Sequence, residues 1–85
     1  MALKVYMTSA AEREYLKLAH DVQVRLRPRL LDLAHNQRPA DAKKMAGGEN
    51  LWRIRVGDFR VLYQIRGATK AVWIVRVGHR REVYD

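Results

Sequence analysis

The sequence predicts an α+β fold, with an N-terminal helical hairpin packed on a mainly antiparallel four-stranded sheet in the order strand, helix, helix, strand, strand, strand. Three observations predict it. Apolar residues recur at helical spacing as far as Gln37, the period changes to two from Leu51, and Gly57-Asp58 divides that second region into two runs of hairpin length. Eighty-five residues are too few for two stable cores, because a chain this short buries only about 60–65% of its unfolded surface. A single domain over residues 1–85 is therefore expected.

Residues 2–7, ALKVYM, alternate and are rich in β-formers, which reads as a short strand. Ser9 followed by Glu12 has the spacing of a capping box, so a helix is expected to start there and to carry Tyr15, Leu16, Leu18 and Ala19 as its apolar stripe. His20-Asp21 interrupts the stripe, and Asp21 is the expected cap of a second helix. Val22, Leu26, Leu30, Leu33 and Ala34 take that helix to about Gln37, ahead of Pro39. Pro28 removes one hydrogen bond inside it, which predicts a kink near Val24 or a break. Residues 38–50, RPADAKKMAGGEN, have the composition of a loop.

In the hairpin, LWRIRV and FRVLYQIR flank Gly57-Asp58, a pair suited to a two-residue turn because Gly takes positive φ at no steric cost. Residues equidistant from that turn then face one another. Trp52, Ile54, Val56, Phe59, Val61, Tyr63 and Ile65 fall on one face, and Arg53, Arg55, Arg60, Gln64 and Arg66 on the other, with Leu62 as the apolar exception. Arg55 sits across from Arg60, and like charges so placed cost about 0.2–1 kcal/mol. Charges on the outward face of a sheet are ordinary, but three arginines at adjacent positions with no acid among them suit a phosphate cradle. After the connection RGATK, the run AVWIVRV reads as a strand buried on both faces, and Trp52 and Trp73 are assigned to the core.

The charge points the same way. Seventeen Lys and Arg against nine acids give +8, a balance expected of a protein that meets phosphates. Residues 1–50 hold nine basic and six acidic side chains, and residues 51–85 hold eight and three, so the excess is concentrated in the second half. Twelve of the cations are arginine, which favours forked contacts to phosphate. There is no cysteine, which excludes disulfides, thiolate nucleophiles and Cys-based zinc sites. No run is long and apolar enough for a signal peptide or a membrane span, so a cytoplasmic protein without a membrane partner is expected.

Inventory narrows the chemistry further. Ser9 is the one serine, His20, His35 and His79 lack metal-ligand spacing with acids, and no Gly-rich loop precedes a helix. What is left near the sheet is Arg, His and Tyr. That set suits RNA cleavage without metal or other cofactor, in which a 2′-hydroxyl attacks the adjacent phosphate and Arg stabilises the pentavalent dianion.

LWRIRVGDFRVLYQI, followed by VWIVRVGHRREVYD, strongly resembles the RelE family of toxins in type II toxin-antitoxin pairs, part of the RelE/ParE superfamily. The element order matches over the whole chain, and VGHRREVY is the most specific part. The resemblance implies a fold like that of small microbial ribonucleases and cleavage of mRNA in the ribosomal 30S A site. It also implies neutralisation by a cognate antitoxin, with operator DNA met only indirectly through the antitoxin complex. By position, Arg53 and Arg55 match the family's basic strand residues, Arg60 in FRVLY its phosphate-binding Arg, Arg80 the Arg after the last strand, and Tyr84 the functional Tyr of the EVY motif.

By this resemblance Tyr84 activates the 2′-hydroxyl, Arg80 assists the leaving 5′-oxygen, and Arg53, Arg55 and Arg60 hold the phosphate. The unperturbed pKa values of Tyr and Arg, about 10 and above 12, are poorly matched to proton transfer at neutral pH, whereas His79 is well matched, so His79 stays a second candidate for acid or base. Strict alternation nevertheless puts His79 on the opposite face from Arg80. The sequence stops at Asp85, where longer family members continue into a C-terminal helix, and this departure puts inhibition by displacing such a helix in doubt. Two alternatives compete: a ParE-like poison of DNA gyrase without nuclease activity, whose relatives usually lack this Arg and Tyr set, and an RNA-binding module without catalysis.

Overall fold

In the computed structural model, which describes residues 2–46 and 50–79, β1 (Lys4–Met7) leads into helices α1 (Ser9–Leu16) and α2 (His20–Asp32). There follow β2 (Lys43–Lys44), β3 (Leu51–Val56), β4 (Phe59–Arg66) and β5 (Ala71–His79). The sheet order is β1-β5-β4-β3-β2, with β1 parallel to β5 and the other pairs antiparallel. Among the described residues the sheet thus has five strands where four were expected. Lys43 and Lys44, read as loop, add a two-residue edge strand against Arg53 and Trp52.

The hairpin register follows from its turn. Gly57 has φ +59° and Asp58 is not among the residues with positive φ, the pattern of a type II′ turn, and Arg55 pairs with Arg60 as the spacing predicts. A β-carbon at Gly57 would also stand 3.6 Å from the Arg25 guanidinium. Between β4 and β5 the register slips after Leu62: Tyr63 pairs with Ile74 but Leu62 with Arg76, leaving Val75 as a bulge.

Both helices cover one face of the sheet. Ala11, Val22, Leu26, Leu30 and Leu33 pack on Ile54, Val61, Tyr63, Val72, Ile74 and Val77. Burying one such Leu or Ile side chain is worth about 1.5–3 kcal/mol. Tyr63 is wholly buried and its hydroxyl donates to Gln37 O at 2.7 Å, which closes the end of the helical layer. The other face carries a small apolar cluster of Met45, Leu62, Leu51 and Val75, so Leu62 has company there.

Helix ends depart from the sequence reading. Thr8, not Ser9, caps α1: its hydroxyl accepts from Ala11 N at 3.1 Å and donates to Val75 O at 3.3 Å, while its own N–H reaches Ile74 O. Thr8 wins because the same residue continues the β1/β5 pairing, which Ser9 could not do. The second helix starts at His20 with Ala19 at the cap position and no side-chain cap, so Asp21 lies in its first turn. Gln23 instead donates to Leu18 O and Leu16 O, satisfying the end of α1.

The helix α2 runs unbroken through Pro28. The carbonyl that Pro28 leaves without a helical donor belongs to Val24, an exposed residue at 56%, on the outer side of a helix that continues to Asp32. The helix ends earlier than Gln37, whose side-chain amide donates to Leu33 O and Ala34 O at 2.9 Å. Among the described residues, no helix is long and apolar enough to cross a membrane.

Candidate nucleic-acid interface

No residue of the five strands is acidic, whereas Lys4, Lys43, Lys44, Arg53, Arg55, Arg60, Arg66 and Arg76 are strand residues. The acids of the described chain stand in helices, loops and the hairpin turn, and those with ion pairs are spent locally. Arg29 holds Asp41 through one guanidinium nitrogen at 3.0 and 2.8 Å from its two oxygens. Arg76 holds Glu14 of α1. Glu14 also accepts from Val77 N at 3.0 Å, so the carboxylate covers the edge of β5 beyond the last β1 residue. Burial pushes the Glu14 carboxyl up, but hydrogen bonds from Arg76 and Val77 N–H and the nearby charges of Arg76 and Lys17 outweigh it and hold it below its ordinary value. The same hydrogen bond holds the Arg76 guanidinium more firmly charged. Arg76 is therefore committed to α1.

The face away from the helices is read row by row from the register. Arg55, Arg60 and Gly78 lie side by side at one end, and Lys43, Arg53 and Leu62 lie in the middle. The three arginines expected in a cradle do share this face, but in different surroundings. Arg55 is exposed, Arg60 half-buried, and Arg53 only 5% exposed. Arg53 is therefore not the solvated side chain that an outward-facing strand position suggests. A guanidinium so shielded acts on its surroundings with less screening than an exposed one.

The structure sets His79 apart from this group. Its cross-strand partner is Phe59, on the helix side, and the two rings meet edge to face at 5.7 Å. His79 lines a pocket of about 430 Å³ with Glu14, Lys17, Leu18, Phe59 and Val77, on the other side of the strand from Arg60. Arg80 and Tyr84 lie outside the described residues. Among the described residues, no three His, Asp or Glu side chains come together to hold a metal ion.

Two aromatic assignments are refined. Trp52 does lie on the helix side, half-buried, with the Arg38 guanidinium 5.4 Å from its ring centre. Trp73, assigned to the core, is instead half-buried on the open face, because β5 pairs it with Gln64 and with Tyr6. Tyr6 stacks on it at 4.9 Å and Arg66 stands 5.0 Å from its ring centre. The alternation in ALKVYM puts Lys4 and Tyr6 on one face, but only the parallel β1/β5 pairing brings them to Trp73.

Known proteins supply the wider frame. The family described as ParE toxin of type II toxin-antitoxin system, parDE, matches residues 5–84. Toxin RelE3 of Methanocaldococcus jannaschii is 40% identical over 50 residues, which are 59% of this chain and 54% of that protein, so the chain spans about half the length of this curated relative. The toxin-antitoxin complex RelBE2 of Mycobacterium tuberculosis has a chain that superposes with a TM-score of 0.81 at 26% identity, covering 94% of this chain and all of that one. The archaeal RelE-RelB complex of Pyrococcus horikoshii reaches a TM-score of 0.82 at 23% identity, covering 98% of this chain and 100% of that chain. The E. coli RelBE complex gives 0.81 at 23%, covering 92% of this chain and 96% of that one, and at such identities the likeness speaks for the fold. With a family match over all but a few terminal residues, and RelE toxins as relatives in both sequence and fold, the chain belongs to the ParE toxin family of type II toxin-antitoxin systems, within the RelE/ParE superfamily.

Proposed function

We propose that this toxin cleaves mRNA on the ribosome, in the 30S A site, and that a cognate antitoxin neutralises it, as the RelE toxins of the similar complexes are bound by RelB. One observation carries the reading: Arg55 stands directly across from Arg60 on an open sheet face whose strands contain no acid. Two arginines at facing positions of a ladder concentrate positive charge on one spot of the sheet, and a phosphodiester is the anion that a forked donor fits best.

In this mechanism the 2′-oxygen attacks the adjacent phosphorus as its proton leaves to a base. The bond to the 5′-oxygen breaks as that oxygen gains a proton, and the products are a 2′,3′-cyclic phosphate and a 5′-hydroxyl. Arg55 and Arg60 neutralise the dianionic intermediate, and Arg53 contributes shielded positive charge behind them. The proton steps fall to Tyr84 and Arg80, on the strength of the family resemblance. The position of His79 beside Phe59 favours them over His79, which meets the other side of the sheet.

The test mixes purified toxin with programmed 70S ribosomes and end-labelled mRNA, comparing wild type with Arg60→Ala and Tyr84→Phe. Cleavage within the A-site codon by wild type, and its loss in both variants, is expected. Intact mRNA together with gyrase-dependent DNA breaks would replace this reading with the gyrase poison.

A further inference from the structure

We propose that Tyr6, Trp73 and Arg66 form a second RNA subsite, in which an unpaired base of the bound strand stacks on the outer face of the Tyr6 ring. The inference rests on the proposed cleavage site at the other end of the same sheet face. β1 is an edge strand, so Tyr6, which is 41% exposed, has a neighbouring strand on one side only. Its inner side lies against Trp73, with 25° between the ring planes. Arg66 lies over the Trp73 ring and is held there by donating from Nε to Gln64 Oε1 at 2.8 Å. Among the described residues, nothing else stacks on Tyr6.

The result is a layered stack, Arg66 over Trp73 and Trp73 against Tyr6, that presents one aromatic face outward. Lys4 and Arg66 are exposed within the same end of the sheet and supply charge for flanking phosphates. Gln64, the partner of Trp73, is four positions beyond Arg60 on β4, which places the stack's row about 13 Å from Arg60 along the strand. A single strand lying over Arg60 can therefore reach Tyr6 without leaving the face. Charge complementarity selects the occupant, because an aromatic ring bordered by cations on an acid-free sheet is the combination that binds single-stranded nucleic acid.

The probe is a fluorescent mixed-sequence RNA of about ten nucleotides, within the range bound by small single-strand modules, with 2′-O-methyl riboses that block cleavage. Binding is measured by anisotropy with the full chain. Tyr6→Leu, which keeps apolar cover on Trp73, is expected to weaken binding about tenfold, the scale of losing one stacked base, while Tyr6→Phe binds as wild type does. An oligonucleotide of abasic residues is expected to show no difference between wild type and Tyr6→Leu. Thermal denaturation verifies that both variants fold.

Equal binding of the RNA by wild type and Tyr6→Leu would overturn the proposal, as would a loss that persists with the abasic strand. A Tyr6→Leu defect confined to the cognate antitoxin would also overturn it and make the surface a protein interface. The two readings fail separately. Arg60-dependent cleavage with unchanged Tyr6→Leu binding removes the subsite alone, and a Tyr6→Leu binding defect alongside a wild type that cleaves nothing removes the nuclease alone.

Discussion

The side of the sheet under the helices and the side away from them are built from alternate residues of the same strands, yet they answer to different demands. On β3, Ile54 is wholly buried against the helices, while Arg53 and Arg55, its immediate neighbours, face the other way. The helix side is continuous apolar packing in which the hydroxyl of the wholly buried Tyr63 is satisfied by Gln37 O. The open side has a small apolar cluster and the Tyr6–Trp73 stack among its cations. One side supplies apolar packing, and the other presents positive charge. Substitutions one residue apart should therefore change different measurements.

The largest expected effect is on the helix side. Ile54→Ala leaves a cavity in a close-packed layer and should cost about 2–5 kcal/mol, lowering the thermal midpoint by about 8–40 °C at about 4–8 °C per kcal/mol. On the open side, Arg60→Ala should lower mRNA cleavage about 10²–10³-fold, the scale of losing one preorganised donor to a developing oxyanion, and move the midpoint by only a few degrees. Equal losses of stability from both would dissolve the distinction between the faces.

A titration sharpens the comparison. Burial first, then the charge of Asp41, pushes the Tyr63 hydroxyl up to about 12, against the opposing charges of Arg38 and Arg29. The folded-state value lies above the unfolded one, so the stabilisation is fully present below about pH 10 and is lost as pH rises toward 12, by on the order of 2 kcal/mol. Tyr63→Phe removes that dependence. Denaturant melts across this window should show the advantage of wild type over the variant shrinking with pH, and a constant difference would contradict the buried hydroxyl.

The smallest effect has the opposite sign. Arg55→Ala relieves the like-charge pair with Arg60 and should stabilise the free protein by about 0.2–1 kcal/mol while reducing cleavage. A destabilised Arg55→Ala would mean that the pair is not in repulsion.

How far the sequence carries depends on the range of the interaction. The hairpin was fully legible, because Gly57-Asp58 fixes a local register that then assigns every β3 and β4 residue to a face. Helix existence was legible as well. The caps were not, since Thr8 and Ser9 carry the same hydroxyl chemistry and only contact with β5, far along the chain, decides between them. The bulge at Val75 is hidden inside a uniformly apolar run, and it explains why AVWIVRV does not simply alternate.

The site divides in the same way. Arg55 opposite Arg60 could be read from spacing, whereas the burial of Arg53 could not. Trp73 looked like core because its strand is apolar; only the parallel pairing of the two chain-distant strands β1 and β5 shows it beside Tyr6 on the open face.

The central claim is that the open face holds an RNA strand for attack by its own 2′-hydroxyl. The most direct measurement replaces a single nucleotide of a ribosome-bound mRNA, the one 5′ to the cleaved bond, with its 2′-deoxy form, leaving toxin, ribosome and magnesium unchanged. Abolished cleavage at that bond, with toxin binding to the programmed ribosome intact, is the predicted result. Undiminished cleavage at the deoxy position would contradict it.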